Sequence, residues 1–76
     1  MTRAKERVKP KRVTFHLDEL LESRGLTLTE LANRVDITLV NLSVLKNNRA
    51  KAIRFSTLEA LCDVLDCQPG DLMTYE

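Results

Sequence analysis

The chain has 76 residues, one small domain near the lower size at which a chain folds alone. Its residues are 43% hydrophobic and 30% charged, the balance of a soluble globular protein, and at 4% aromatic its core must be aliphatic. No apolar run approaches the roughly 18 residues that span a bilayer, and the basic N-terminus lacks a signal peptide's apolar stretch, so a cytoplasmic protein is expected.

Residues 1–12 hold few apolar side chains, mixed charges and Pro10, and are expected to form a basic, disordered arm ahead of a folded domain over 13–76. Arg12 to Phe15 (RVTF) can form a short extended piece, because Val, Thr and Phe favour strands. From His16 the pattern turns helical: Leu17, Leu20 and Leu21 recur at i, i+3, i+4, Asp18 and Glu19 stand near the helix's positive end, and Gly25 supplies a left-handed stop. A second helix opens on Thr27 with Glu30 three residues on, the signature of a capping box, and Leu31, Ala32 and Val35 form its inner stripe. Asp36 to Thr38 make the next turn. Thr38 caps a third helix, over 38–47, whose Leu42 and Leu45 face inward alongside Ile37, and Asn47-Asn48 ends it. Ser56 and Glu59 predict a further capping box at the start of a fourth helix, which turns Leu58, Leu61, Cys62 and Leu65 inside. Pro69 suits the first position of a short last helix through Leu72. The expected fold is all-α, a bundle of five short helices.

Helices two and three are both short, both capped, and separated by about three residues. That spacing is what a helix-turn-helix requires, with the second helix projecting into a major groove. Charge distribution points the same way. The net charge of +1 hides a segregation: residues 1–13 carry six basic residues against Glu6, and residues 37–55 carry Lys46, Arg49, Lys51 and Arg54 with no acid. The remaining segments hold Arg24 and Arg34 against ten acids. Two basic segments on an acidic body form a polyanion-binding surface.

Little in the sequence suggests catalysis. His16 is the only histidine, without a carboxylate pair, Gly-rich phosphate loop or Cys-His combination beside it, and reads as a helix-start or surface residue. Cys62 and Cys67 could be a disulfide, half of a zinc site or core residues; Cys62 shares a helical face with Leu58, Leu61 and Leu65, which favours structural thiols. Asp63, Asp66 and Asp71 lack calcium-loop spacing and serve solubility. Neither an enzyme, nor a cofactor, nor a small-molecule substrate, nor a membrane partner is expected.

The stretch TLTELANRVDITLVNLSVLKNNRAKAIRFSTLEALCDVLDCQPGDL resembles the helix-turn-helix core of the Cro and phage-repressor (XRE-like) family, in particular its short single-domain bacterial members. The resemblance is carried by LTELA, by Ile37 in the turn, by Leu42, Leu45 and Asn47, and by STLEALCDVLDC, and it runs from about Leu17 to Leu72. It implies a five-helix domain that binds duplex DNA as a homodimer and represses or activates transcription. It also implies phosphate or minor-groove contacts from Asn47, Arg49, Lys51 and Arg54, and base-facing positions at Thr38, Leu39, Val40, Ser43 and Val44. At the position where many members open helix two with a DNA-bonding Gln, this chain has Leu28.

A helical wheel at about 100° per residue yields the same exposed face independently: with Leu42 and Leu45 on the core side, Val40, Ser43, Val44 and Asn47 cluster opposite and Leu39 lies at the margin. That face is mostly apolar. Two functions fit it. In the first, Leu39, Val40 and Val44 touch thymine methyl groups, Ser43 and Asn47 add polar contacts, and DNA shape supplies further specificity. The arm residues Arg3, Lys5, Arg7, Lys9, Lys11 and Arg12 then track the backbone or enter a minor groove. In the second, the apolar face binds protein, as in an antitoxin-like or co-regulator module, and DNA binding is weak or lost. The basic segments favour the first, a sequence-specific regulator associated with the nucleoid and acting as a repressor.

Overall fold

The computed structural model describes residues 11–76, so Arg3, Lys5, Arg7 and Lys9 lie outside the described residues. Five helices are present: α1 (Leu17–Arg24), α2 (Leu28–Val35), α3 (Leu39–Lys46), α4 (Phe55–Leu65) and α5 (Pro69–Leu72). Two short strands flank them, β1 (Val13–Phe15) and β2 (Met73–Tyr75), paired antiparallel with Val13 opposite Tyr75 and Phe15 opposite Met73. The extended RVTF piece is therefore present. Its partner, MTY, was not expected as a strand. Arg12, placed in the arm on sequence grounds, exchanges two backbone hydrogen bonds with Glu76, and the His16 amide donates to the Leu72 carbonyl.

The helices start and stop where local chemistry directs. Gly25 ends α1 at φ 66°. Thr27 and Glu30 form the expected box, the Glu30 amide donating to Thr27 Oγ1 at 3.1 Å and the Thr27 amide to Glu30 Oε1 at 2.9 Å. The backbone amide of Thr27, and then its hydroxyl, hold the Glu30 carboxyl below its ordinary pKa. This box therefore contributes fully above the ordinary carboxylate pKa and is lost as pH falls through the lowered one. Thr38 Oγ1 accepts from the Asn41 amide at 3.1 Å and so caps α3. At α4 the expectation fails. The helix starts two residues earlier, at Phe55, with Arg54 as N-cap in place of Ser56 and no side-chain cap, so Ser56 sits inside the first turn and the Ser56–Glu59 box does not form. Apolar packing sets this boundary instead: Ile53 just before it and Leu58 just after it both face the core.

Ten residues are buried, nine leucines and Ala32, and no polar side chain among the described residues joins them. Leu17 and Leu21 come from α1, Leu31 from α2, Leu42 and Leu45 from α3, Leu58, Leu61 and Leu65 from α4, and Leu72 from α5. Leu20, Val35, Ile37 and Cys62, expected inside, pack against this centre while keeping part of their surface exposed. Arg24 ties the first helix to the fourth: its Nε donates to the Leu65 carbonyl at 2.7 Å and an Nη to the Asp66 carbonyl at 3.1 Å. A cation thus satisfies orphan carbonyls at the negative end of α4, where it is favoured.

The segment between α3 and α4 is held from both sides. Asn48 adopts the left-handed conformation at φ 60°. Its side-chain amide clasps the outer edge of β1, accepting from the Phe15 amide at 2.6 Å and donating to the Phe15 carbonyl at 3.4 Å. Ala50 and Ile53 then pack against the core, which leaves Arg49, Lys51 and Arg54 facing solvent. Lys46 is drawn the other way, to Asp18 of α1 at 3.4 Å.

Two stability predictions follow from this packing. Leu61 has no exposed surface, so Leu61→Ala should cost about 2–5 kcal/mol in urea unfolding, a large share of the roughly 5–15 kcal/mol of an ordinary domain; a loss under about 1 kcal/mol would show that the site collapses freely. Asn48→Ala removes the clasp and forces a left-handed Ala, for an expected loss of about 2 kcal/mol. Asn48→Gly keeps the backbone and should lose about half of that. Equal stability of both variants and the parent would refute the clasp.

Candidate nucleic-acid interface

α2 packs directly on α3, and the turn between them is short because Asp36 takes the left-handed conformation at φ 55°. Ile37 follows with its amide bonded to the Ala32 carbonyl, and its side chain closes the turn against the core. Leu42 and Leu45 then anchor α3, so the side opposite them faces outward. Val40 is 73% exposed, Leu39 46% and Val44 36%. The wheel drawn from sequence therefore describes the exposed face correctly, and the apolar character of that face is a property of the folded domain.

The positions singled out from sequence are brought together in three adjoining concavities. The first, about 350 Å³, is lined by Leu39, Val40, Ser43, Val44, Asn47 and Arg49. The second, about 560 Å³, lies between the α2–α3 turn and the following loop, and its lining includes Thr38, Val44, Arg49, Lys51 and Arg54. Val44 and Arg49 belong to both. The third, about 400 Å³, runs from the loop to β1 and includes Lys51, Arg12 and Asn48. Lys51 joins it to the second. Arg12 therefore lies close to the loop cations, whereas Lys11 stands over the Tyr75 ring at 5.4 Å.

Polar groups on this face are few. Asn47 Nδ2 donates to Ser43 Oγ at 3.2 Å, one turn apart, so each orients the other. One polar residue lay outside the positions expected from sequence. Asn41 is exposed and lines the second concavity with Thr38 and Arg49. Its backbone amide is occupied by the Thr38 cap, while its side chain has no hydrogen-bond partner among the described residues. The signal was present in the spacing, since Asn41 stands three residues after Thr38 on the same side of the helix. Among the described residues no group of three or more His, Cys, Asp or Glu is placed to hold a metal ion, and no helix of the described residues is long and apolar enough to cross a membrane. Of the four charged residues that line the first two concavities, three are the cations Arg49, Lys51 and Arg54 and one, Asp36 at the turn, is a carboxylate.

Comparison with known proteins agrees with this geometry. The family model described as the Cro/C1-type helix-turn-helix DNA-binding domain matches residues 16–76. The chain is 54% identical over 63 residues to the uncharacterized HTH-type transcriptional regulator YozG of Bacillus subtilis (strain 168), covering 83% of this chain and 75% of that protein. A crystal structure of the transcriptional regulator VanUg (form II) superposes with a TM-score of 0.73 at 26% identity, covering 90% of this chain and 89% of that one. Both relatives are transcriptional regulators. On the family match, the identity to a regulator and the helix-turn-helix itself, the chain belongs to the Cro/C1-type helix-turn-helix family of DNA-binding transcriptional regulators.

Proposed function

We propose that α3 enters the major groove of duplex DNA while the loop from Asn47 to Arg54 grips phosphates and the minor-groove edge. The observation that carries this is the adjoining placement of Arg49, Lys51 and Arg54 beside the outward face of α3. Thr38, Leu39, Val40, Ser43 and Val44 face the bases, and Asn41 joins them. Asn is the side chain suited to paired hydrogen bonds with adenine, worth about 1–3 kcal/mol in discrimination. Leu39, Val40 and Val44 would sit against thymine methyl groups, so an A·T-rich site is preferred. Arg12, beside Lys51, continues the basic track toward the N-terminal arm, whose Arg3, Lys5, Arg7, Lys9 and Lys11 add sequence-independent affinity. Acting by occupying promoter DNA, the protein is a repressor, and as a DNA-bound regulator it works in the cytoplasm at the nucleoid.

Fluorescence anisotropy on mixed genomic DNA, followed by selection of bound sequences, tests this reading. Observed affinity should fall steeply with salt, with a log–log slope of about −0.9 for each phosphate neutralised. Combined Arg49→Glu, Lys51→Glu and Arg54→Glu should abolish retention, and Asn41→Ala should relax sequence preference with little change in total binding. Binding that ignores salt and charge reversal, together with loss of a protein complex in Val40→Asp, would instead favour the interaction module.

A single short reading helix contacts only a few base pairs, so a two-fold site and a homodimer complete the reading. Its contact is proposed at the two-stranded sheet, where Val13 and Tyr75, 55% and 64% exposed, stand opposite each other. Sedimentation of a Val13→Lys, Tyr75→Ser double variant should show monomer at concentrations where the parent dimerises. An unchanged dimer would place the contact elsewhere.

A further inference from the structure

A second concave surface, of about 640 Å³, lies between α4 and α5 and shares no lining residue with the three concavities of the DNA face. Its floor is apolar: Leu58, Cys62 and Cys67, flanked by Phe55 and Pro69. Phe55 is 79% exposed, the most exposed large hydrophobic side chain among the described residues. Most of its ring surface lies outside the core. Both cysteines are free thiols, and burial first, then the neighbouring Cys62, pushes the Cys67 thiol up.

The rim has one sign. Glu59, Asp63, Asp66 and Asp71 surround the floor, and no Lys, Arg or His lines it. Phe55, Glu59 and Asp63 follow one another at i, i+4, i+8 along the exposed side of α4, next to Cys62 and the stripe of Leu58, Leu61 and Leu65 that enters the core, and Asp66 caps the end of the helix. Asp71 is partly engaged, accepting from the Gln68 amide at 3.0 Å. Arg24, which reaches the end of α4, is bonded to the carbonyls of Leu65 and Asp66 and not to a carboxylate. Among the described residues, no Lys, Arg or His forms an ion pair with these four carboxylates.

This charge pattern selects among occupants. Nucleic acid is repelled by four carboxylates. A second copy seated by two-fold symmetry on the same groove would set four carboxylates against four more, a repulsive juxtaposition. A fitting occupant is positively charged and brings its own apolar side chain to cover Phe55. We propose that the α4–α5 groove is a docking site for a basic amphipathic segment of another protein, with Lys or Arg flanking one or two large apolar residues. The apolar residue packs on Phe55, Leu58 and Cys62 while the flanking cations meet Glu59, Asp63 and Asp66, the groove mode of peptide recognition with electrostatic selection of the partner. Because the groove is separate from the DNA face, DNA and partner can be held together.

The test uses the full chain and a fluorescein-labelled 12-residue peptide of Lys and Leu, with an equally charged Lys/Ser peptide as control. The Lys/Leu peptide should bind at least tenfold more tightly than the control and shift amide resonances of α4 and α5. Phe55→Ser and Asp63→Lys, both at exposed positions, should each weaken that binding at least tenfold while leaving thermal unfolding and DNA binding as in the parent. Lys51→Glu should leave the peptide bound. Equal binding of the two peptides, resonance shifts confined to α3, or undiminished binding by both groove variants would overturn the proposal. So would a self-association of the parent that Phe55→Ser abolishes, because a second copy would then be the occupant.

Discussion

Nine leucines drawn from five helices meet in one polar-free core, and both faces of the molecule follow from how that core is closed. Each helix is too short to be stable alone in water, since isolated helices under about 12 residues are marginal. Their stability has to come from burying one stripe each against the others. α3 shows the consequence most clearly. Its anchors Leu42 and Leu45 use up the inward side, so Leu39, Val40 and Val44 have nothing left to pack against and must face solvent. The apolar outward face of α3 is the geometric remainder of the core, exposed because the domain is too small to cover it.

The same economy places the charges. Ala50 and Ile53 pin the connection between α3 and α4 onto the core, and the residues between and after them, Lys51 and Arg54, turn outward as a result. Asn48 does a second job at the start of this connection, taking a left-handed turn and clasping Phe15 of β1 with one amide. The loop is thereby held to the sheet formed by the two ends of the domain, and Arg12 is brought to the concavity that Lys51 lines. On α4 the inward leucines likewise leave an outer stripe of Phe55 and acids. Basic and acidic surfaces are thus segregated by helix faces, which is how a chain of net charge +1 presents two surfaces of opposite sign.

Several features were legible in the sequence because they depend on neighbours a few residues apart. Helix starts at Thr27 and Thr38, the stop at Gly25, and the outward direction of Val40 all follow from spacing and local hydrogen bonding, and the structure has each of them. The capping box at Ser56 and Glu59 was misread by the same logic. Its sequence signature is genuine, but the packing of Ile53 and Leu58 moves the helix start to Phe55, and long-range burial outweighs a cap worth about 1 kcal/mol. Asn41 falls outside the outward cluster of the helical wheel because it stands beside the inward Leu42, at the edge of the exposed face of α3.

What the sequence determined by itself is the five-helix pattern, the helix-turn-helix spacing, the family, and the existence of an acid-free basic stretch, since periodicity, caps and charge runs are local properties. What only the tertiary structure decided is which segments meet. The pairing of β1 with β2, the clasp of Asn48 on Phe15, the bond of Arg24 to the end of α4, and the groove beneath Phe55 join residues that are distant along the chain or belong to different elements. No local propensity encodes such partners, because their stabilisation arises only after the leucine core has brought the elements together.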